Sequence, residues 1–261
     1  MNSSNKMILR REQIMNIIRR SPITTVNQLA HELCVSKETI RKDIQYLAER
    51  DLILRIHGGV SPKEISVMEP TYSSRSTHNL ETKQRIAAAA FETICPGESI
   101  LLESGTTVQE LARLLVQDTA LLNSLCVITL SFHIMEIFKD STIDKLYFLG
   151  GRVRKNDMIT YGHYALSMLQ DFHIDKAFIG AAAIDNSLTI TDYFDEEVHL
   201  RRQIISASDE TVLLIDSSKM NKTAFFTICS LDEIRQVITD AACPREMTEL
   251  FAQRNISYTL A

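Results

Sequence analysis

No run of eighteen apolar residues occurs in this chain of 261, and its start, Met1-Asn2-Ser3-Ser4-Asn5-Lys6, lacks the apolar core of a secretion signal. A cytoplasmic location with no membrane partner is therefore expected. Cysteine is sparse: the five at 34, 95, 126, 229 and 243 include no Cys-x-x-Cys pair and stand mostly among apolar neighbours. That excludes a disulfide framework and leaves reduced core thiols. The seven histidines are scattered, so no structural metal and no cofactor is expected. Internal repeats and low-complexity tracts are also missing. Apolar residues make up 45% and charged residues 23%, as in an ordinary globular chain with core enough for one large or two ordinary domains.

A positive surplus, the usual mark of a nucleic-acid binder, is absent overall, since the net charge is −5. Divided at Val60, however, the chain has two signs. Residues 1–60 hold ten Lys or Arg against six Asp or Glu, and the remainder holds eighteen against twenty-seven. A basic head on an acidic body suggests that one end meets phosphates and the other does something else.

The head reads as three helices and a hairpin. Ile14, Ile17 and Ile18 recur at helical spacing over 7–20, before the break at Ser21-Pro22. Thr25 can cap a second helix burying Leu29, Ala30 and Leu33. After Cys34-Val35, Ser36 can cap a third, with Ile40, Ile44 and Leu47 on one face and Glu38, Arg41, Lys42 and Gln45 on the others. The alternation Leu52–His57 predicts a strand and Gly58-Gly59 a tight turn, completing a winged helix-turn-helix with a β-hairpin wing. Residues 61–80, with Pro62, Pro70 and a polar run over 73–79, read as a linker. From there helical stretches alternate with apolar runs at 99–102, 126–129, 145–149, 177–179, 212–215, 237–238 and 258–260. This predicts an α/β domain with a largely parallel sheet and ligands beyond the strands' carboxyl ends.

The outer face of the third helix suits a DNA major groove. Arg41 and Lys42 can reach guanine edges or phosphates, Gln45 can pair with adenine, and Ser36, Lys37 and Thr39 stand where the helix start approaches the backbone. Arg55 and His57 on the wing can contact phosphates or the minor groove. The same residues could equally be the solvated face of a small bundle. In the body, Glu103-Ser104-Gly105-Thr106-Thr107 follows a strand and opens a helix, a turn that aims backbone N–H groups and hydroxyls at an anion such as a phosphate. An ordinary capped turn is the alternative. Polar or glycine-rich turns recur at Thr129-Leu130-Ser131, Leu149-Gly150-Gly151, Ile179-Gly180 and Asp216-Ser217-Ser218-Lys219. Lys219 could neutralise a phosphate or be a surface lysine, and Asp195-Glu196-Glu197 could bind sugar hydroxyls or be merely solvated.

The ordered set Leu29-Ala30, Val35-Ser36, Thr39-Ile40-Arg41-Lys42-Asp43, Leu47 and Leu54-Arg55-Ile56-His57-Gly58-Gly59 resembles the amino-terminal domain of the DeoR family of bacterial transcription regulators. Arg75, Asn79, Lys83, Ile86-Ala87, Phe178-Ile179-Gly180, Asp216 and Ser218-Lys219 resemble that family's carboxy-terminal sensor domain. The resemblance implies a helix-turn-helix over 24–43 within a DNA-binding domain over 1–60. It also implies a Rossmann-like α/β domain over 81–261, similar to sugar-phosphate isomerases, that binds effector and forms homo-oligomers. The implied function is a repressor of a carbohydrate-utilisation operon, with a double-stranded DNA operator and a phosphorylated sugar as partners and no catalytic residues. The implied effector contacts are Ser104, Gly105, Thr106, Thr107, Thr129, Ser131, Gly150, Gly151, Gly180, Glu197 and Lys219. Lys42 departs from a second arginine and loses the planar fork, Glu103 replaces aspartate, Leu130 replaces asparagine, and Ser187 stands where glycine is frequent. An isomerase-like enzyme with Glu197 or Asp216 as base and Lys219 as electrostatic stabiliser is the competing reading. A complete winged helix argues against it. A general nucleoid-type binder fits poorly with the acidic body.

Overall fold

In this computed structural model the residues described are 3–20, 24–50, 52–56, 59–62, 65–66 and 69–261. They fall into two compact units, Met1–Val67 and Met68–Ala261.

The first unit holds helices α1 (Ser3–Arg20), α2 (Val26–Glu32) and α3 (Lys37–Glu49) and an antiparallel pair, β1 (Ile53–Ile56) and β2 (Gly59–Pro62). Thr25 closes a capping box on α2: its hydroxyl accepts from Gln28 N at 3.2 Å while Gln28 Oε1 accepts from Thr25 N at 2.8 Å. Cys34, at φ +52°, turns the chain between α2 and α3. Ile14, Ile18, Leu29, Ile40, Ile44, Leu47, Ile53 and Val60 form one core. Thr24 and Val60 exchange both backbone hydrogen bonds, at 3.2 and 3.1 Å, which pins β2 to the residue that leads into α2. A wing tied to the helices in this way is the architecture expected of residues 1–60. His57 and Gly58, the end of the expected strand and the start of the expected turn, lie outside the described residues.

The second unit is built on seven parallel strands in the order Ser257–Leu260, Gln236–Thr239, Ser208–Leu214, Ile174–Ile179, Ser99–Leu102, Cys126–Thr129 and Lys145–Phe148. Each of the seven apolar runs in the sequence is one of these strands. The inner strands bury apolar residues on both sides because helices cover both faces. Leu101, Ile128, Ala177, Ile179 and Leu213 enter one core, and Ile100, Leu102, Val127, Phe178 and Val212 the other. From Ser99–Leu102 the chain adds strands outward to one edge, then returns to Ile174–Ile179 and adds strands to the opposite edge. These two neighbours therefore flank a topological switch point, where α/β folds place ligands.

Two features were not legible in the apolar runs. Ala183–Ile184, Thr189–Asp192 and Phe226–Ser230 form a separate antiparallel sheet with a bulge between Ile190 and Thr191, and Arg152–Arg154 pairs with Ile159–Tyr161. The expected linker over 61–80 also needs correcting. Its second half carries a helix, Tyr72–Thr77, inside the second unit. The serine-rich run folds because Thr71 caps it, accepting from Ser74 N, and because Tyr72 donates its hydroxyl to Gln109 at 2.6 Å and stacks on His133 at 4.0 Å.

Candidate functional site

In the first unit the start of α3 is held by hydroxyls. Ser36 Oγ accepts from Thr39 N at 3.1 Å and shares a hydrogen bond with Thr39 Oγ1 at 2.8 Å. Lys37, Arg41, Lys42 and Gln45 are all exposed. Arg41 meets Glu38 at 3.3 Å with both side chains about two-thirds exposed, and Gln45 donates to Glu49 at 3.0 Å. Such contacts are cheaply exchanged for a phosphate or a base. Asp43, next to these residues in sequence, has the opposite character. It is 1% exposed and accepts from Arg10 Nε at 2.5 Å and Arg11 Nε at 2.9 Å, so it clamps α3 to α1. Arg11 and Arg50 further bracket the Tyr46 ring at 3.4 and 3.6 Å. Arg55 lies in β1 with its side chain outside the described residues.

In the second unit a cavity of about 370 Å³ opens at the switch point. Two glycines meet on its floor. A Cβ on Gly105 would stand 3.5 Å from the Gly180 Cα, so the ends of two neighbouring strands meet backbone to backbone. Gly105 is also the N-cap of the helix Thr106–Gln117 and supplies no side-chain cap. The first-turn N–H groups, which have no intrahelical acceptor, are left for an anion.

Cations gather on the other walls. Lys83 donates to His78 O at 2.8 Å and to Arg75 O, and Lys219 donates to Ala181 O at 2.8 Å. Burial, reinforced by Lys219, pushes the Lys83 ammonium down to about 8. Burial likewise lowers Lys219, against the pull of Asp216. Asp216 accepts from Asn79 Nδ2 at 3.2 Å, Ser218 N at 3.1 Å and the Ser218 hydroxyl. Although burial opposes it, hydrogen bonds from Ser218 and the charge of Lys219 hold this carboxyl below its usual range.

An ionic chain runs from the cavity wall into the interior. Glu69 meets Arg75 at 3.1 Å, and Arg75 meets Asp157. Arg154 then bridges Asp157, at 2.9 Å, and Glu197. Arg201 gathers Glu197 at 3.1 Å, Glu103 at 2.8 Å and Asp192.

Of the expected effector residues, Gly105, Thr106, Thr107, Gly180 and Lys219 line the cavity together. The others have different surroundings. Ser104 turns its hydroxyl to Glu103 at 3.2 Å. Thr129 donates to Leu102 O at 2.7 Å, and Ser131 caps the helix Phe132–Phe138. Gly150 N faces Met168 Sδ at 3.3 Å, and Gly151, at φ +156°, sits where a Cβ would lie 2.6 Å from the Tyr161 carbonyl oxygen. Glu197 is buried between Arg154 and Arg201. Glu103 is structural too: one oxygen takes Arg201 and the other accepts from Gly180 N at 3.1 Å. Leu130 is fully buried in the core. Sequence reasoning gave no role to Arg75, Lys83 or Lys222, nor to Glu69 and Asp192 on the same walls. Arg75 and Lys83 were marked only by the family resemblance.

Residues 10–65 match the model of the DeoR-like helix-turn-helix domain, and residues 78–241 match the DeoR C terminal sensor domain. The chain belongs to the DeoR family. It is 27% identical over 255 residues to the glycerol-3-phosphate regulon repressor of Escherichia coli K12, spanning 98% of this chain and 99% of that one. It is 30% identical over 230 residues to the transcriptional repressor GlcR of Bacillus subtilis, covering 87% and 86%. To the lactose phosphotransferase system repressor of Staphylococcus epidermidis it is 31% identical over 234 residues, covering 88% and 91%. Ribose 5-phosphate isomerase A of Methanocaldococcus jannaschii aligns with 54% of this chain and 55% of its own at a TM-score of 0.40 and 20% identity, a likeness from which no activity follows. These curated relatives of the DeoR chain are transcriptional regulators, and the enzyme reading has no support among them. Among the described residues, no helix is long and apolar enough to cross a membrane.

Proposed function

We propose that this DeoR-family regulator represses a carbohydrate-utilisation operon from a double-stranded operator and that a phosphorylated sugar in the switch-point cavity modulates its grip. The observation that carries this is the meeting of an uncapped helix start at Gly105–Thr107 with Lys83 and Lys219 in one cavity. That combination suits a phosphate. The sugar would extend toward Asp192, Tyr193 and His78, which line the same space.

On this reading α3 reads the operator through Arg41, Lys42 and Gln45, with Ser36, Lys37, Thr39, Arg55 and His57 on the backbone. The head over 1–60 and the sensor over 81–261 work in the cytoplasm as a homo-oligomer whose paired heads grip operator half-sites. Coupling requires that the effector bind the DNA-bound and free forms with different affinity. Gel-shift titration of the operator complex with a panel of sugar phosphates tests it. Release or tightening by a ligand that also raises the melting temperature of the free protein is expected. A ligand that binds the free protein and leaves operator affinity unchanged sinks the mechanism.

A further inference from the structure

We propose that Glu69 is a built-in counter-anion: it occupies the Arg75 guanidinium until an anionic effector displaces it to bind. The proposal rests on the anion-binding reading of the same cavity.

Glu69 and Arg75 both line the cavity, and their 3.1 Å ion pair is mostly withdrawn from water, with side chains 14% and 21% exposed. Every arm of the guanidinium is taken. Nη1 meets Glu69, Nη2 meets Asp157, and Nε donates to Pro70 O at 3.1 Å. The two carboxylates are not held alike. Asp157 also takes Arg154 at 2.9 Å, whereas among the described residues Arg75 is the one ion-pair partner of Glu69. Glu69 is thus the partner that can leave.

Its surroundings also disfavour its charge. Burial lifts its carboxyl above the ordinary range, Arg75 and then Arg154 pull the other way, and Asp157 and Asp192 repel it. A phosphate drawn in by Lys83, Lys219 and the Thr106 helix start would add a further repulsive charge. It would also offer the freed Arg75 Nη1 a more highly charged acceptor than a single carboxylate. Arg75 lies within electrostatic reach of both lysines, so the guanidinium can serve the same anion as they do. Exchange of Glu69 for the effector frees a residue at the point where the chain enters the sensor unit. Glu69 therefore sets the affinity threshold of the site.

The experiment is isothermal titration of the full chain with inorganic phosphate at pH 7, for wild type, Glu69→Gln, Glu110→Gln and Lys219→Ala. Glu110 is a matched control, a carboxylate near Lys83 that pairs with Arg113 instead of Arg75. Removing the competitor should tighten phosphate on the order of fivefold, about 1 kcal/mol, in Glu69→Gln and by less than about twofold in Glu110→Gln. Equal tightening in both variants would mean only a general change of field and would overturn the proposal. Binding that is lost in Lys219→Ala yet unchanged in Glu69→Gln overturns it while leaving the anion site standing. No phosphate binding by wild type removes the site and this inference together.

Discussion

Arg201 Nη2 stands 2.8 Å from Glu103 Oε1, joining the helix Asp195–Ala207 to the carboxyl end of the strand Ser99–Leu102 at the cavity wall. Arg201 is 5% exposed and also holds Asp192 and Glu197. Replacing it by methionine leaves three carboxylates buried without their shared cation. Removing one partner of a buried ionic group costs about 3–5 kcal/mol. Arg201→Met should therefore lower the melting temperature of the sensor unit by many degrees, read by calorimetry. A variant that melts with wild type would show that this network does not brace the floor.

Asp43 supplies the corresponding test in the head. Its carboxylate is buried between Arg10 and Arg11, whose own side chains keep partial access to water, so the cost is discounted to about 2–3 kcal/mol. Asp43→Ala should lower the stability of the head and weaken all DNA binding alike, by loss of folded protein. Denaturant unfolding followed by circular dichroism measures the first effect. Unaltered head stability together with altered base preference would instead make Asp43 a reader of DNA.

Arg41→Ala should do the reverse. The side chain is mostly exposed and its one ion pair, with Glu38, is a surface pair, so folding should be unaffected. A base contact of this kind is worth about 1–3 kcal/mol of operator affinity. Gel-shift titration with operator and random DNA measures both arms. Equal losses on the two DNAs would make Arg41 a phosphate contact, and no loss would exclude it from the interface.

The contrast between Arg41 and Asp43 shows what was legible in the sequence. Periodicity and capping located α2 and α3 because those signals are local: Thr25, Ser36 and the spacing of Ile40, Ile44 and Leu47 act within one helix. The seven strands were legible because parallel strands are apolar on both faces. The antiparallel strand Thr189–Asp192 gave no such signal, being short, bulged and ended by a charged residue. Turn chemistry found Gly105, Thr106, Thr107, Gly180 and Lys219, since each follows a strand that ends at the switch point or beside it. It also drew in Thr129, Ser131, Gly150 and Gly151, whose turns use their hydroxyls and glycine geometry for the fold itself. Arg75 lies in a stretch that reads as linker and Lys83 in the helix Leu80–Phe91 that follows it; both reach the cavity only by tertiary packing, so no local pattern could assign them a place.

Lys83 makes the anion site dependent on pH. Its ammonium, pushed by burial down to about 8, is charged at neutral pH and discharges as pH rises through that value. Phosphate esters lose their second proton near pH 6, so the ligand's charge stays constant above neutrality. An anion favours the protonated lysine, and affinity is therefore highest below pH 8 and falls above it. Lys219, lowered in the same direction, deepens the fall. The loss of one charge-assisted contact predicts weakening of about tenfold between roughly pH 7 and 9.5. Titration calorimetry with a bound sugar phosphate across that range measures it, with Lys83→Met as the comparison. The variant should bind weakly throughout and show a shallower profile. If wild-type affinity is flat from neutral to alkaline pH, Lys83 does not face the ligand.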